Sequence, residues 1–238
     1  MTSGEAKEPT EYPRIMPVGD SAVLIEFGPG IDPKVNDAVY ILAQMMAGMI
    51  YEVVPTYRSL LAGYDPLKTS YDQLHGFLAK FGPKALELER NPGTVRTIEI
   101  PVVYGGEEGP DLGTVADHAG ISGQEVVDIH SSVSYRVYML GFAPGFPYLG
   151  GLDERIACPR LETPRLRVAA GSVGIAETQT GVYPNESPGG WQIIGRTAVK
   201  LFDPVSPLSP PPPMSETGSP ALITPGSEVR FVPVESHE

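Results

Sequence analysis

Two stretches of the sequence bring glycine, proline and aromatic side chains together in the same way. The first, LGFAPGFPYLGGLD (140–153), sets Gly141, Pro144, Gly145, Pro147, Gly150 and Gly151 among Phe142, Phe146, Tyr148 and Leu149. It is too broken for a helix and too apolar for an ordinary exposed loop. The second, QTGVYPNESPGGWQIIGRT (179–197), carries Pro188-Gly189-Gly190-Trp191 where the first carries Pro144-Gly145-Phe146. Glycine lets backbone N–H groups approach a ligand with no Cβ in the way. Prolines and aromatics add apolar walls at low ordering cost. Together they suit a pre-formed pocket for a small, partly polar ligand. Any single glycine here could equally turn a barrel corner; two loops of one style favour a site.

Between and after the loops stand Arg160, Arg165, Arg167 and Arg196. Arginine holds carboxylate or phosphate through paired N–H donors, although in an acidic chain it often only balances nearby carboxylates. Arg165 and Arg196 adjoin the loops and rank ahead of Arg160. His130 ends a helical stretch just before SSVSYRVY. Two roles suit it: a cap favoured by the helix dipole, or a proton carrier at the rim of the site. Cys158, the single cysteine, precedes Pro159 and reads as a small semi-buried thiol rather than a nucleophile. One cysteine also excludes an internal disulfide and any cysteine-rich metal site.

Other chemistries lack their residues. The sequence has no G-x-x-x-x-G-K-[ST] phosphate cradle, no G-x-G-x-x-G after a strand, no H-E-x-x-H and no G-x-S-x-G elbow. His75, His118, His130 and His237 are scattered without zinc-like spacing. The net charge of −12, with no basic cluster, argues against nucleic acid or an anionic membrane as partner. No apolar run approaches the roughly 20 residues that span a bilayer. The polar start, MTSGEAKEPTEYP, is neither a signal nor a transit peptide, which points to a cytoplasmic protein.

The 238 residues suffice for two modest domains. SAVLIEF (21–27) reads as a strand. Asp32-Pro33 then caps a helix burying Val35, Ala38, Val39, Leu42, Met45, Met46 and Met49. YEVVPTYRSLLAGYD gives a strand in two halves broken at Pro55. A second helix starts near Thr69, with Asp72 at the capping-box position, and buries Tyr71, Leu74, Phe77, Leu78 and Phe81. These elements predict a small α/β domain over 1–92, with helices on one face of a sheet. After the linker LERNPGTVR comes a strand, TIEIPVVYG, and one or two helices, one capped by Ser122 with Glu125. Short strands and Gly/Pro turns then run on, predicting a β-barrel or sandwich over 93–238. The Pro-rich stretch 206–220 reads as a solvated excursion.

The motifs YRVYMLGFAPGFPYLGGLD, TPRLRVAAGSVGIAETQTGVYPNESPGGWQIIGRT and LFDP resemble those of the allophanate hydrolase subunit 1 and sporulation-kinase inhibitor I family. Within that family the likeness is nearest to the B-type subunit of bacterial 5-oxoprolinase. GDSAVLIEF and IEIPVVYGGEEGPDL extend it over nearly the whole chain. The resemblance implies an α+β protein, a small α/β sandwich domain followed by a cyclophilin-like β-barrel. It implies complexes with an allophanate hydrolase subunit 2-type protein, the C-type subunit of 5-oxoprolinase, and with an A-type subunit. It also implies opening of 5-oxoproline to glutamate with ATP as co-substrate. It assigns no nucleotide, metal or biotin attachment site to this chain. With the residue reading above, His130, Arg165 and Arg196 are the catalytic candidates. Phe142, Pro144, Gly145, Phe146, Tyr148, Gln179, Tyr183, Ser187, Gly189, Gly190 and Trp191 become the substrate contacts. The same family contains two alternatives: a non-catalytic inhibitor of a sensor histidine kinase, and half of a biotin-dependent urea or amide carboxyltransferase. Three features depart from its pattern: Ala176-Glu177-Thr178, which sets a carboxylate beside the expected pocket, Ala169 in place of a proline, and the long 206–220 excursion.

Overall fold

The computed structural model describes residues 11–46, 48–90, 95–205 and 218–237. The chain forms two compact units, Met1–Arg90 and Asn91–Glu238. Most of the proline-rich excursion, residues 206–217, lies outside the described residues.

The first unit is an antiparallel sheet with two helices on one face. Its strands are β1 (Arg14–Val18), β2 (Ala22–Glu26), β3 (Glu52–Pro55) and β4 (Ser59–Gly63), in the order β1-β2-β4-β3. The helices are α1 (Pro33–Met45) and α2 (Tyr71–Ala85). Alternation along β2 and β4 turns Val23, Ile25, Leu60 and Ala62 inward, where Val39, Leu42, Leu74 and Leu78 cover them completely. Asp32 starts α1 as expected, its Oδ1 accepting from the Lys34 N–H at 2.7 Å. The buried Asn36 amide donates to the carbonyls of Thr56 (3.0 Å) and Tyr57 (3.3 Å), pinning the β3–β4 turn to the helix.

Three details differ from the sequence reading. The α2 cap is Ser70 with Gln73, one residue beyond the expected pair, because the Ser70 hydroxyl is the one that accepts from the third helical N–H. Met45 and Met49 remain exposed; only Met46 of that group is fully buried. Strand β1 was not foreseen. It holds Pro17, which a sheet tolerates at its edge, where no ladder N–H is needed.

The second unit is a closed barrel, not a sandwich. Its strands are β5 (Thr97–Tyr104), β6 (Tyr135–Leu140), β7 (Pro147–Gly150), β9 (Ser172–Ala176), β10 (Gln179–Val182), β12 (Gln192–Arg196) and β13 (Glu228–Pro233). They close in the order β10-β7-β6-β13-β5-β12-β9. The β5–β13 pair is parallel, from Thr97 opposite Glu228 to Val102 opposite Pro233, and the other pairings are antiparallel. Ile100, Val102, Tyr135, Val137, Leu149, Val173, Ile175, Ile194, Val229 and Phe231 fill the core. Two helices pack on it: α3 (Leu112–Ala119), ended by Gly120 in the left-handed region, and α4 (Gly123–Ser131), capped by Ser122 and Glu125 as the sequence indicates. A separate ribbon pairs β8 (Arg165–Val168) with β11 (Ser187–Gly189). The architecture is therefore α+β, with a barrel that carries both Gly/Pro/aromatic loops.

Candidate functional site

The first loop joins β6 to β7. It is a tight turn held by Ala143 N–H to the Gly141 carbonyl (2.7 Å), Phe146 N–H to the Ala143 carbonyl (3.0 Å) and Gly141 N–H to the Phe146 carbonyl (3.1 Å). Gly145 has φ +83° and lies against Phe202, so a side chain there would meet both strain and contact. Phe142 has φ +63° despite its side chain and stands 64% exposed. The turn thus lifts one ring to the surface and drives the next aromatic, Phe146, inward to 2% exposure.

Phe146 is the hub of an aromatic cluster. Its ring meets Phe142, Tyr148, Tyr183 and Trp191 edge to face, at centroid distances of 5.4, 5.3, 5.3 and 5.5 Å. Such T-shaped contacts suit the ring quadrupoles and add roughly 0.5–1.5 kcal/mol each beyond burial. The second loop supplies Tyr183 and Trp191 and folds back as β11 across β8. Gly189 is required there, because a Cβ would overlap the Tyr183 hydroxyl. Burial and the hydrogen bond from the Trp191 backbone pull the Tyr183 hydroxyl in opposite directions; burial prevails, raising its pKa and keeping it protonated.

These rings enclose a cavity of about 270 Å³, lined by Phe142, Phe146, Tyr148, Arg160, Pro164, Tyr183, Pro188, Gly189, Gly190 and Trp191. The volume lies just below the range of about 300–1,000 Å³ typical of drug-sized sites, so it suits a smaller molecule. Of the expected contacts, seven face it: Phe142, Phe146, Tyr148, Tyr183, Gly189, Gly190 and Trp191. Pro144 and Gly145 instead line a shallow depression formed with Leu140–Ala143. Gln179 on β10 and Ser187 on β11 line neither. Arg160, ranked behind its neighbours from sequence, is the arginine on the aromatic cavity; Pro164 and Pro188 join it.

Arg165 and Arg196 line a different cleft, of about 220 Å³, with Glu107, Glu108, Arg167 and Ser172. Each is committed to protein partners. Arg165 Nη2 donates to Asp111 Oδ1 at 2.6 Å and Nη1 donates to the Trp191 carbonyl at 3.3 Å. Asp111 Oδ2 accepts from the Ile193 N–H at 2.6 Å. Asp111 sits at the N-cap position of α3 yet makes no side-chain cap bond; its carboxylate is held by the arginine and β12 instead. Arg196 Nε donates to the Ala170 carbonyl at 3.0 Å, and its Nη1 lies 3.4 Å from Glu108. Arg167 pairs with Glu186 at 2.8 Å. Arg165 therefore does not line the aromatic cavity, but it is tied to the cavity wall through the Trp191 carbonyl.

His130 is neither at a rim nor a charged helix cap. It is fully buried, stacked on Phe231 at 4.6 Å. Its Nδ1 lies 2.7 Å from the Tyr104 hydroxyl and its Nε2 2.8 Å from Thr180 Oγ1. The Thr180 hydroxyl donates to the Gly174 carbonyl at 3.0 Å. It must then accept from Nε2–H, which leaves Nδ1 to accept from Tyr104. Burial drives the imidazole pKa down to about 3, so the ring is neutral and structural. The helix C-terminus is served by the Tyr135 hydroxyl, which donates to the His130 carbonyl at 2.7 Å.

Cys158 is 3% exposed, and its thiol is pushed up by burial, then by the carboxylates of Glu177 and Asp111. Glu177 occupies the turn between β9 and β10 with φ +52°, its backbone exchanging hydrogen bonds with Cys158. It does not line the aromatic cavity, because that turn is anchored on the Cys158 strand bridge.

Residues 13–212 match the family of the carboxyltransferase domain, subdomain C and D, and the chain belongs to it. Within the family its relatives are more specific. It is 42% identical, over 94% of each chain, to the B-type subunit of 5-oxoprolinase from Bacillus subtilis. It is 43% identical, over 91% of this chain and 94% of the relative, to the B-type subunit of 5-oxoprolinase from Escherichia coli O157:H7. Among solved structures, the urea carboxylase of Kluyveromyces lactis shares the fold, with a TM-score of 0.63 and 22% identity, over 92% of this chain and 21% of that one.

Proposed function

We propose that this chain is one subunit of an ATP-dependent 5-oxoprolinase, active only when its partner subunits complete the site. The observation that supports this reading most directly is end-to-end similarity to two proteins named as the B-type subunit of 5-oxoprolinase. The cavity accords with it, being small, apolar-walled and edged by hydroxyl and guanidinium groups.

A lactam carbonyl is a poor electrophile. Transfer of the ATP γ-phosphoryl group to its oxygen turns that oxygen into part of a leaving group. Water then adds to the carbon, the ring C–N bond breaks with a proton passing to nitrogen to leave an acyl phosphate, and a second water hydrolyses that acyl phosphate to glutamate and phosphate. Aromatic walls around the ring exclude bulk water and strengthen charge interactions within the site. The protonated Tyr183 hydroxyl is a donor at that wall. The A-type and C-type subunits complete the site, and no nucleotide site is assigned to this chain.

Reconstitution with those two subunits tests the reading. The mixture should release ADP and glutamate from ATP and 5-oxoproline, and this chain alone should not. No turnover in a competent reconstitution overturns it. A second reading is favoured by the exposed Phe142 at the loop tip: the same loops dock on a protein such as a sensor histidine kinase. Loss of kinase autophosphorylation on adding the chain, without any hydrolase activity in the mixture, would select it.

A further inference from the structure

Arg160 differs from the other arginines near these loops in what it does not touch. Arg165, Arg167 and Arg196 each have a carboxylate oxygen within 3.4 Å. Among the described residues Arg160 has no ion-pair partner, in a chain with 29 acidic residues against 17 basic ones. An arginine with no carboxylate partner among the described residues, amid such an excess of acids, offers a donor set to a ligand.

Its position is fixed, although its side chain is open to solvent. The Pro159 carbonyl accepts from Gln192 Nε2 at 2.9 Å, and the Leu161 N–H donates to the Gly190 carbonyl at 2.7 Å. The backbone on both sides of Arg160 is therefore tied to the second loop. The guanidinium centre lies 6.0 Å from the centroid of the Trp191 ring, at the outer limit of cation–π attraction. Arg160 lines the cavity beside Tyr183, and its charge, like that of Arg165, opposes the rise that burial imposes on the Tyr183 hydroxyl.

We infer that Arg160 selects the ligand of this cavity: it receives the carboxylate of a compact ring molecule whose body lies against Phe146, Tyr183 and Trp191. This deepens the oxoprolinase reading and rests on it for the identity of the ring. The guanidinium fork matches a carboxylate in two parallel N–H to O bonds. A ligand seated on the aromatic walls displaces water from around that pair and strengthens it. A neutral lactam of the same shape gains only the walls.

Trp191 is the single tryptophan of the chain, so fluorescence excited selectively at tryptophan reports this cavity. The full-length chain is titrated with 5-oxoproline and with 2-pyrrolidinone, the same ring without the carboxylate. Arg160→Ala and Arg160→Lys are compared with Arg230→Ala, which removes an equal charge from the exposed pair with Glu99. In the complex with the A-type and C-type subunits, KM and kcat are measured for the same variants. Arg160→Ala should weaken 5-oxoproline about 10- to 100-fold, in Kd and in KM, with kcat little changed, since a charge-assisted bond is lost. Lys should restore part of this. Arg230→Ala should match wild type, and 2-pyrrolidinone should bind weakly and equally to all four proteins. Unchanged 5-oxoproline affinity in Arg160→Ala overturns the inference, as does an equal loss for both lactams. So does no response of Trp191 in the chain together with an unchanged KM in the complex. Turnover with an unaltered KM defeats Arg160 and leaves the proposed function standing. Arg160-dependent binding without turnover does the reverse.

Discussion

The aromatic cavity and the charged cleft share the second Gly/Pro/aromatic loop, and they differ in how their cations are used. Arg165 is gripped by Asp111 and the Trp191 carbonyl, and Arg196 by Ala170 and Glu108. Arg160, five positions before Arg165, has no carboxylate partner among the described residues. The cleft holds more charge, yet its charge is internally answered and serves to fix the backbone from which Trp191 projects. The cavity has a single cation facing apolar walls. What distinguishes a site from a scaffold here is whether the charge is already neutralised, not how much of it there is.

The contrast makes Asp111 the most sensitive position. Asp111→Ala leaves the Arg165 guanidinium and the Ile193 N–H without their acceptor. It should cost about 2–4 kcal/mol, toward the lower part of the range for broken buried pairs because Arg165 is partly solvated. Urea unfolding measures the loss, and Trp191 emission should shift with it. A cost below 0.5 kcal/mol would mean that the cleft does not hold the wall. Arg160→Ala, by comparison, should leave stability within about 0.5 kcal/mol of wild type.

His130 gives an effect of middle size and a pH window. Its folded pKa of about 3 lies below the ordinary value of 6.5, so the unfolded chain binds a proton that the folded chain refuses. Stability from this group is complete above pH 6.5 and falls as the pH drops toward 3, by up to about 1.4 kcal/mol per unit. Between pH 6.5 and 5 the loss should be about 1.6 kcal/mol. His130→Gln should flatten that part of the profile whatever its effect at neutral pH. An identical slope in the variant would place the acid sensitivity elsewhere. A smaller effect than that of His130 belongs to Arg196→Ala. Its pair with Glu108 is about 40% exposed on the arginine side, and such pairs contribute roughly 0.2–1 kcal/mol. Lactam affinity should not move; a drop of tenfold or more would join cleft and cavity into one site.

The sequence made the cavity legible because its walls are local. Phe142, Phe146 and Tyr148 come from one turn, and Tyr183 to Trp191 from another, so composition alone marks them. The arginines were not legible in the same way. Arg165 finds Asp111 across 54 positions and Arg196 finds Glu108 across 88, and no local spacing announces such pairings. His130 misled for a related reason. A polar residue in the last turn of a helix suggests solvent, but this turn faces the barrel, where Tyr104 and Thr180 wait on distant strands. The helices, their Ser122 and Asp32 starts and the split at Pro55 follow from near neighbours. The edge strand β1 and barrel closure depend on what lies alongside in space.

The parallel β5–β13 pair fixes the order in which the second unit can be completed. The Arg230–Glu99 contact spans 131 positions, and β13 also lies against β6. Until β13 has been synthesised, the strands beside its place present two open edges, the kind that recruit other chains. A break in the chain ahead of Glu228 would therefore do more than shorten the protein. It would convert a sealed ring into a curved sheet with two adhesive margins, and it would do so without touching either loop of the candidate site.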